Sequence, residues 1–186
     1  MAPLDALAVD ASLDRDLAGE ARALNARFAG SDASAVIAAA AAEIFADRIA
    51  LVSSFGAESV VLLHLVAEVD RSVPVIFLDT GKLFPETLQY RDRLIDRLGL
   101  TDVRVVHPDP ARLAAKDRFG ALWMTNADLC CHIRKTEPLQ RALSGMDAWF
   151  TGRKRFQSDV RSRLTLFEAD GARIQVNPLA NWAAAD

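Results

Sequence analysis

Cysteine is nearly missing from this 186-residue chain: only Cys130 and Cys131 carry a thiol, and they are neighbours. Neighbouring cysteines are poor partners for each other, because a disulfide needs a Cα separation and a dihedral that a trans peptide does not offer. A disulfide-stapled scaffold is therefore excluded, and metal ligation, thiol chemistry and plain burial stay open. An export leader is also missing, since Met1-Ala2-Pro3-Leu4-Asp5 has neither a basic nor an apolar region. No apolar run reaches the length of a membrane span, and the richest, residues 35–42, stops at Glu43. Together these features predict a cytoplasmic protein with no membrane contact. The formal net charge of −3 excludes the broad basic surface of a general nucleic-acid binder. The chain has no internal repeat, no low-complexity linker, no Walker A ending and no Gly-x-Gly-x-x-Gly. It also has no Cys-x-x-Cys or His pair at zinc-ligand spacing.

What is present is ordinary globular material, 51% hydrophobic and 25% charged, enough for one domain with a full core. The charge is uneven. Residues 132–163 hold eight Lys/Arg against three Asp/Glu, which suggests a local site for a small anion rather than a track for a polyanion. A solvated charged face is the plainer reading of the same cluster. Arg134 and Lys135, close behind the cysteine pair, favour thiolate over thiol.

The pattern predicts helices over 14–28 and 33–45, then strands at 49–53, 73–78, 103–107 and 149–151. Helices are expected between them at 60–66, at 85–98 with Pro85 in the first turn, at 110–119 and at 134–143. Residues 164–167 and 173–176 read as a hairpin around a turn at 168–172. Alternating strands and helices predict an α/β fold, a parallel sheet flanked by helices on both faces. Ligands of such sheets bind beyond the carboxyl ends of the strands, near a switch in strand order. The chemistry is accordingly expected after Ser53, Leu78, His107 and Thr151.

The turn after the first strand reads Ser53-Ser54-Phe55-Gly56-Ala57-Glu58-Ser59 and runs into a helix. Small residues admit a phosphate to backbone amides, and a helix start adds unsatisfied N–H groups. An ordinary tight strand-to-helix turn explains it equally well. After the second strand, Leu78-Asp79-Thr80-Gly81 offers polar groups to a ribose or base edge, with Gly81 free to take a positive φ. After the fourth come Gly152, Arg153, Arg155, Gln157 and Arg161, and arginine suits phosphate or sulfate oxygens.

Four ordered motifs carry a resemblance: the Ser54–Ser59 turn, the run from Leu78 to Thr87, the Cys-Cys-x-x-Arg-Lys-x-Glu-Pro-Leu run from Cys130 to Leu139, and Thr151-Gly152-x-x-Arg155-x-Gln157-Ser158. They resemble the adenylyl-sulfate and phosphoadenylyl-sulfate reductases, thioredoxin-dependent enzymes of sulfate assimilation on an adenine-nucleotide α-hydrolase-like (Rossmann-like) fold. The match runs from about residue 49 to 182. The resemblance implies an N-terminal helical segment, 1–48, packed on a sulfonucleotide-binding domain, 49–186. It implies substrate contacts from residues 53–59, from 78–81, and from Lys135, Gly152, Arg153, Arg155, Gln157 and Arg161. Glu58 reads as a loop-shaping residue rather than a base.

The paired cysteines resemble the branch that holds a 4Fe-4S cluster and prefers adenylyl sulfate (APS) over its 3′-phosphorylated form (PAPS). By that resemblance Cys130 and Cys131 are two cluster ligands, and Lys135 couples cluster to substrate. Soft thiolates suit such chemistry. Family members carry a further Cys-x-x-Cys and a terminal nucleophilic cysteine, and neither occurs in these 186 residues. The expectation is thus a C-terminally truncated reductase, inactive by itself, with thioredoxin as the reductant of the whole enzyme. Two copies giving two cysteines each would complete a cluster, so a homo-oligomer is entertained. Alternatives are a PAPS reductase, an ATP-using relative (a sulfate adenylyltransferase small subunit or ATP pyrophosphatase), and a non-catalytic nucleotide-binding fragment.

Overall fold

A computed structural model describes residues 15–155 and 163–183. Two helices come first, α1 (Leu17–Arg27) and α2 (Ala33–Ala39), the latter continuing as a π turn, Ala40–Ile44. Both start on an aspartate whose carboxylate accepts a first-turn amide: Asp16 from Gly19 and Asp32 from Ala35. Strand β1 (Ile49–Val52) leads through a short turn of 3₁₀ helix (Ala57–Ser59) into α3 (Val60–Val69). Then follow β2 (Val75–Leu78), α4 (Pro85–Leu98), β3 (Val103–Val106), α5 (Pro110–Lys116), α6 (Leu122–Thr125) and α7 (Ala127–Cys131). A π turn, His132–Thr136, joins α7 to α8 (Glu137–Ala142), and β4 (Ala148–Phe150), β5 (Phe167–Asp170) and β6 (Arg173–Val176) complete the order.

Six strands form one sheet in the order β3-β2-β1-β4-β6-β5. All neighbouring pairs are parallel except β5 with β6. From β1 the chain moves outward to β2 and β3, then returns to place β4 on the other side of β1. The order therefore reverses between β1 and β4, and a crevice opens there at the carboxyl ends.

Alternation along each strand assigns the two faces. Ile49, Leu51, Val75, Phe77, Ala148 and Phe150 face the main core, with α1–α4. Ala50, Val52, Ile76, Leu78 and Trp149 face Leu139, Ala142 and Leu143, around α8. α1 and α2 share the main core through Leu24, Phe28, Val36 and Ile37. The Asn25 side-chain amide also pairs with both backbone groups of Phe167, at 2.8 and 3.1 Å, and so occupies the edge of β5.

Three expectations shift. The cysteines belong to a helix that begins at Ala127, under an Asn126 cap, rather than preceding one that begins at 134. The hairpin moves along the chain to β5 and β6, with Gly171-Ala172 as its two-residue turn and Gly171 at φ +59. Glu168 and Asp170 read as turn residues, yet an edge strand needs only one buried face, and Phe167 supplies it. β4 lies at 148–150 rather than 149–151.

Candidate active site at the carboxyl edge of the sheet

The loop after β1 is held by its own side chains. Ser53 is buried and its Oγ accepts the Phe55 amide at 3.1 Å. Ser54 Oγ accepts the Gly56 amide at 3.4 Å and lies 3.2 Å from Ser59 Oγ. Phe55 takes a left-handed φ of +53, a strain of about 1–2 kcal/mol for a residue with a Cβ. Its ring supplies the compensation: it is 0% exposed and packs edge-on to Phe77, with centroids 5.6 Å apart. Phe55 therefore anchors the loop in the core, and only its backbone faces the crevice side.

A cleft of about 310 Å³ lies at the β1/β4 reversal, lined by Ser53, Ser54, Glu58 and Ser59 on one side and by Gly152 and Arg153 on the other. A second hollow of about 260 Å³ adjoins it through Ser53 and Ser54 and extends to Leu78, Thr80 and Lys135. A third, of about 560 Å³, shares Thr80, Leu83 and Lys135 with the second and reaches Trp123, Cys130 and Cys131. The three hollows form one path along the carboxyl edge, from Arg153 to the cysteine pair. Lys135 stands at the junction of its second half.

The loop after β2 is also self-braced. The Asp79 carboxylate accepts the Gly81 amide at 2.9 Å, with His107 Nδ1 at 3.8 Å from its other oxygen. Gly81 has φ +68, a conformation that penalises any side chain. Thr80 is buried, and its carbonyl accepts Arg134 Nη1 at 2.6 Å. The other Arg134 arm, Nη2, reaches Asp117 Oδ2 at 2.5 Å, and Asp117 Oδ1 accepts the Leu122 amide at 2.9 Å.

The basic segment is largely engaged. Arg153 Nη2 donates to Glu168 at 2.9 Å, Arg155 Nε to the Leu164 carbonyl at 2.6 Å, and Arg141 to the His107 carbonyl at 2.7 Å. Arg153 Nε is buried without a hydrogen-bond partner beside the cleft. Behind it stands Asn177, 0% exposed, whose Oδ1 accepts Thr151 Oγ1 at 2.8 Å and Gln175 Nε2 at 3.1 Å. Its Nδ2 donates to the Thr165 carbonyl at 2.9 Å and to Glu168 Oε2 at 3.3 Å. Gln157 and Arg161 lie outside the described residues.

Of the residues expected at a site, the structure gathers Ser53, Ser54, Glu58, Ser59, Gly152 and Arg153 around one cleft, and Leu78, Thr80 and Lys135 around the next. Asp79 and Gly81 shape the second loop, and Arg155 binds the Leu164 carbonyl in the segment that leads into β5. Sequence reasoning missed Arg134, Asp117, Glu168 and Asn177 as organisers. Arg134 sits inside a quoted motif, but nothing in its spacing names its partners.

Cys130 is buried and Cys131 exposed on successive positions of α7. Among the described residues no three His, Cys, Asp or Glu side chains converge as metal ligands. Two thiols are half of a four-thiolate set, so the described residues do not by themselves fit a 4Fe-4S cluster.

The Arg134 guanidinium, helped by the Leu122 amide and by Lys82, holds the Asp117 carboxyl below the ordinary carboxylate range. A carboxyl depressed in the folded state contributes stability above its unfolded pKa of about 4, and that contribution fades as pH falls toward the folded value. Urea midpoints of the parent chain and D117N should therefore differ by a constant amount above about pH 5 and converge below about pH 4. A gap that widens on acidification would contradict this assignment.

Residues 48–186 match the phosphoadenosine phosphosulfate reductase domain. The chain is 52% identical to the adenosine 5′-phosphosulfate reductase of Mesorhizobium japonicum, over 93% of its own length and 68% of that protein. It is 42% identical to the phosphoadenosine 5′-phosphosulfate reductase of Xanthomonas axonopodis pv. citri, over 74% of its length and 58% of that protein. Its backbone superposes on the phosphoadenylyl-sulfate reductase of Candida auris, solved as a phosphate complex, with a TM-score of 0.75, 26% identity and coverage of 90% and 81% of the two chains. The NMN synthetase of Francisella tularensis, 14% identical with a TM-score of 0.57, shares the fold alone. A parallel sheet reversing at β1/β4, a serine-lined loop facing Arg153 across the reversal, and a match over three quarters of its length lead to one conclusion: the chain belongs to the phosphoadenosine phosphosulfate reductase family.

Proposed function

We propose that this chain binds adenosine 5′-phosphosulfate along the carboxyl edge of its sheet, as the nucleotide-binding body of a reductase that yields sulfite and AMP. The observation that carries this reading is the meeting of the Ser53–Ser59 loop with Arg153 at the β1/β4 reversal. Hydroxyls, a helix start and an arginine with a buried, unpartnered Nε converge there on about 310 Å³ of space. The phosphosulfate occupies this cleft, and the adenosine lies toward Leu78, Asp79, Thr80 and Gly81. Lys135 places its ammonium between the nucleotide and the cysteine pair, where positive charge offsets both. APS is preferred over PAPS on the 52% identity to relatives named for the former, against 42% for the latter.

In the reaction proposed, a cysteine thiolate attacks the sulfur of the phosphosulfate and the S–O bond to phosphorus breaks. AMP leaves, and the SO3 group stays on the cysteine as S-sulfocysteine. A dithiol reductant of the thioredoxin class then releases sulfite, each dithiol giving up two electrons as it closes to a disulfide. Cys130 and Cys131 are proposed as two of four thiolate ligands to a 4Fe-4S cluster, a group that would place redox-active iron near the substrate. The other two ligands come from outside the described residues, and no step assigned to this chain passes through the cluster.

Isothermal titration with APS, PAPS and ATP tests the binding reading. APS is expected to bind most tightly. Tight ATP binding without APS binding would instead support an ATP-using relative, a reading disfavoured by Ser54-Phe55-Gly56-Ala57-Glu58-Ser59 where such enzymes carry a glycine-rich Ser-Gly-Gly turn.

A further inference from the structure

The most buried ion pair among the described residues joins Arg134 to Asp117, with side chains 8% and 2% exposed. Desolvating such a pair is costly, and it persists only where geometry and additional hydrogen bonds compensate. Here the compensation links three separate segments. Arg134 stands on the π turn His132–Thr136, directly after the cysteine helix. One arm donates to the carbonyl of Thr80 in the loop after β2, and the other to Asp117, the cap of α5. Asp117 in turn accepts the amide that opens α6, the short helix of Trp123. A second strap runs parallel to the first, with Lys82 Nζ donating to the Gly120 carbonyl at 2.8 Å. Both terminal nitrogens of Arg134 are thus engaged by protein, while its buried Nε has no hydrogen-bond partner and the side chain borders the third hollow beside Lys135.

We infer that Arg134 is a positioning residue. It fastens the Thr80-Gly81 loop to the turn bearing Cys130, Cys131 and Lys135, so that the nucleotide loop and the cysteine helix move as one unit. The consequence for nucleotide binding rests on the function proposed above; the mechanical link does not. A π turn suits this task, because the extra residue in its ring rotates successive side chains away from strict helical order. Arg134 is thereby turned inward while Lys135 and Cys131 remain outward. Lysine is a poor substitute, since one ammonium does not reproduce a planar fork spanning two acceptors.

The test uses R134K, R134A and D117N of the full 186-residue chain, each checked for folding by circular dichroism. AMP affinity by calorimetry should fall about tenfold or more in R134A and R134K, as expected on losing charge-assisted hydrogen bonds. Added guanidinium should restore much of it to R134A and leave the parent unchanged. Iodoacetamide labelling of Cys130, followed by peptide mass spectrometry, should accelerate about tenfold or more in R134A as the cysteine helix is released. Parent-like AMP affinity and parent-like labelling in folded variants would overturn the inference. So would a loss that guanidinium does not reverse, which marks general destabilisation. If the parent binds no AMP, the proposed function fails instead, and the labelling comparison decides this inference alone. If R134A does not fold, R134K and D117N carry the same comparison.

Discussion

No sulfite is expected from the 186-residue chain incubated with APS and reduced thioredoxin, although the same preparation should bind AMP and APS. Attack on a phosphosulfate requires a thiolate about 3–3.5 Å from sulfur and aligned with the bond that breaks. The chain has two thiols, and both line the third hollow rather than the cleft of Ser53, Ser54 and Arg153. Cys130 is buried besides, at 8% exposure. The expected loss is complete, unlike the partial losses that follow removal of one binding contact. Assay of sulfite together with AMP decides the matter, because the two must appear in equal amounts if the proposed chemistry runs. Equal release by this chain would assign the nucleophile to Cys130 or Cys131 and withdraw their proposed role as ligands. Iron analysis of anaerobically prepared protein bears on the same point: two thiols per chain are not expected to retain a full cluster unless two chains share one.

The second large effect is expected at Asn177. Its amide accepts from Thr151 and Gln175 and donates to Thr165 and Glu168, in a site with no exposure. Asn177→Ala removes a shared partner from the buried Thr151 and Gln175 side chains at once, each costing about 1–3 kcal/mol when stranded, and releases the more exposed Thr165 and Glu168. Partial rescue among the neighbours, such as the 3.3 Å contact between Gln175 and Thr151, limits the total to on the order of 3 kcal/mol. For a chain of this size that is a fall in Tm of about 6–12 °C. The effect should reach the site as well, because Asn177 holds Glu168, which in turn holds Arg153. Nucleotide affinity should therefore drop at temperatures well below the new Tm. A Tm within about 2 °C of the parent would show that the network is dispensable.

Much of the candidate site was legible before any fold was known. Ser53–Ser59 and Leu78–Gly81 were recognisable because small and polar residues directly follow apolar runs, and that order is what a strand-to-loop junction requires. Pro85 at the start of α4 is of the same kind, as a constraint acting within one turn of the chain. Phe55 illustrates the limit. It lies in the loop motif, yet its ring belongs to the core, and only the position of Phe77 on another strand reveals this. The basic segment illustrates it again: the charges were countable, but Glu168 and the carbonyls of His107 and Leu164 absorb several of them.

By itself, then, the amino-acid sequence determined the elements, the strand-end loops and the adjacency of the two cysteines, since periodicity, capping and turn chemistry act over a few residues. Tertiary structure alone decided the strand order, and with it the crevice at β1/β4, because parallel pairing joins segments dozens of residues apart. It also decided that Cys130 faces inward and Cys131 outward, and that Arg134 spends its fork on Thr80 and Asp117, 54 and 17 residues away. A long charged side chain takes whichever partner the packed interior brings within reach, and burial, which no short stretch of sequence specifies, sets how strongly it is held.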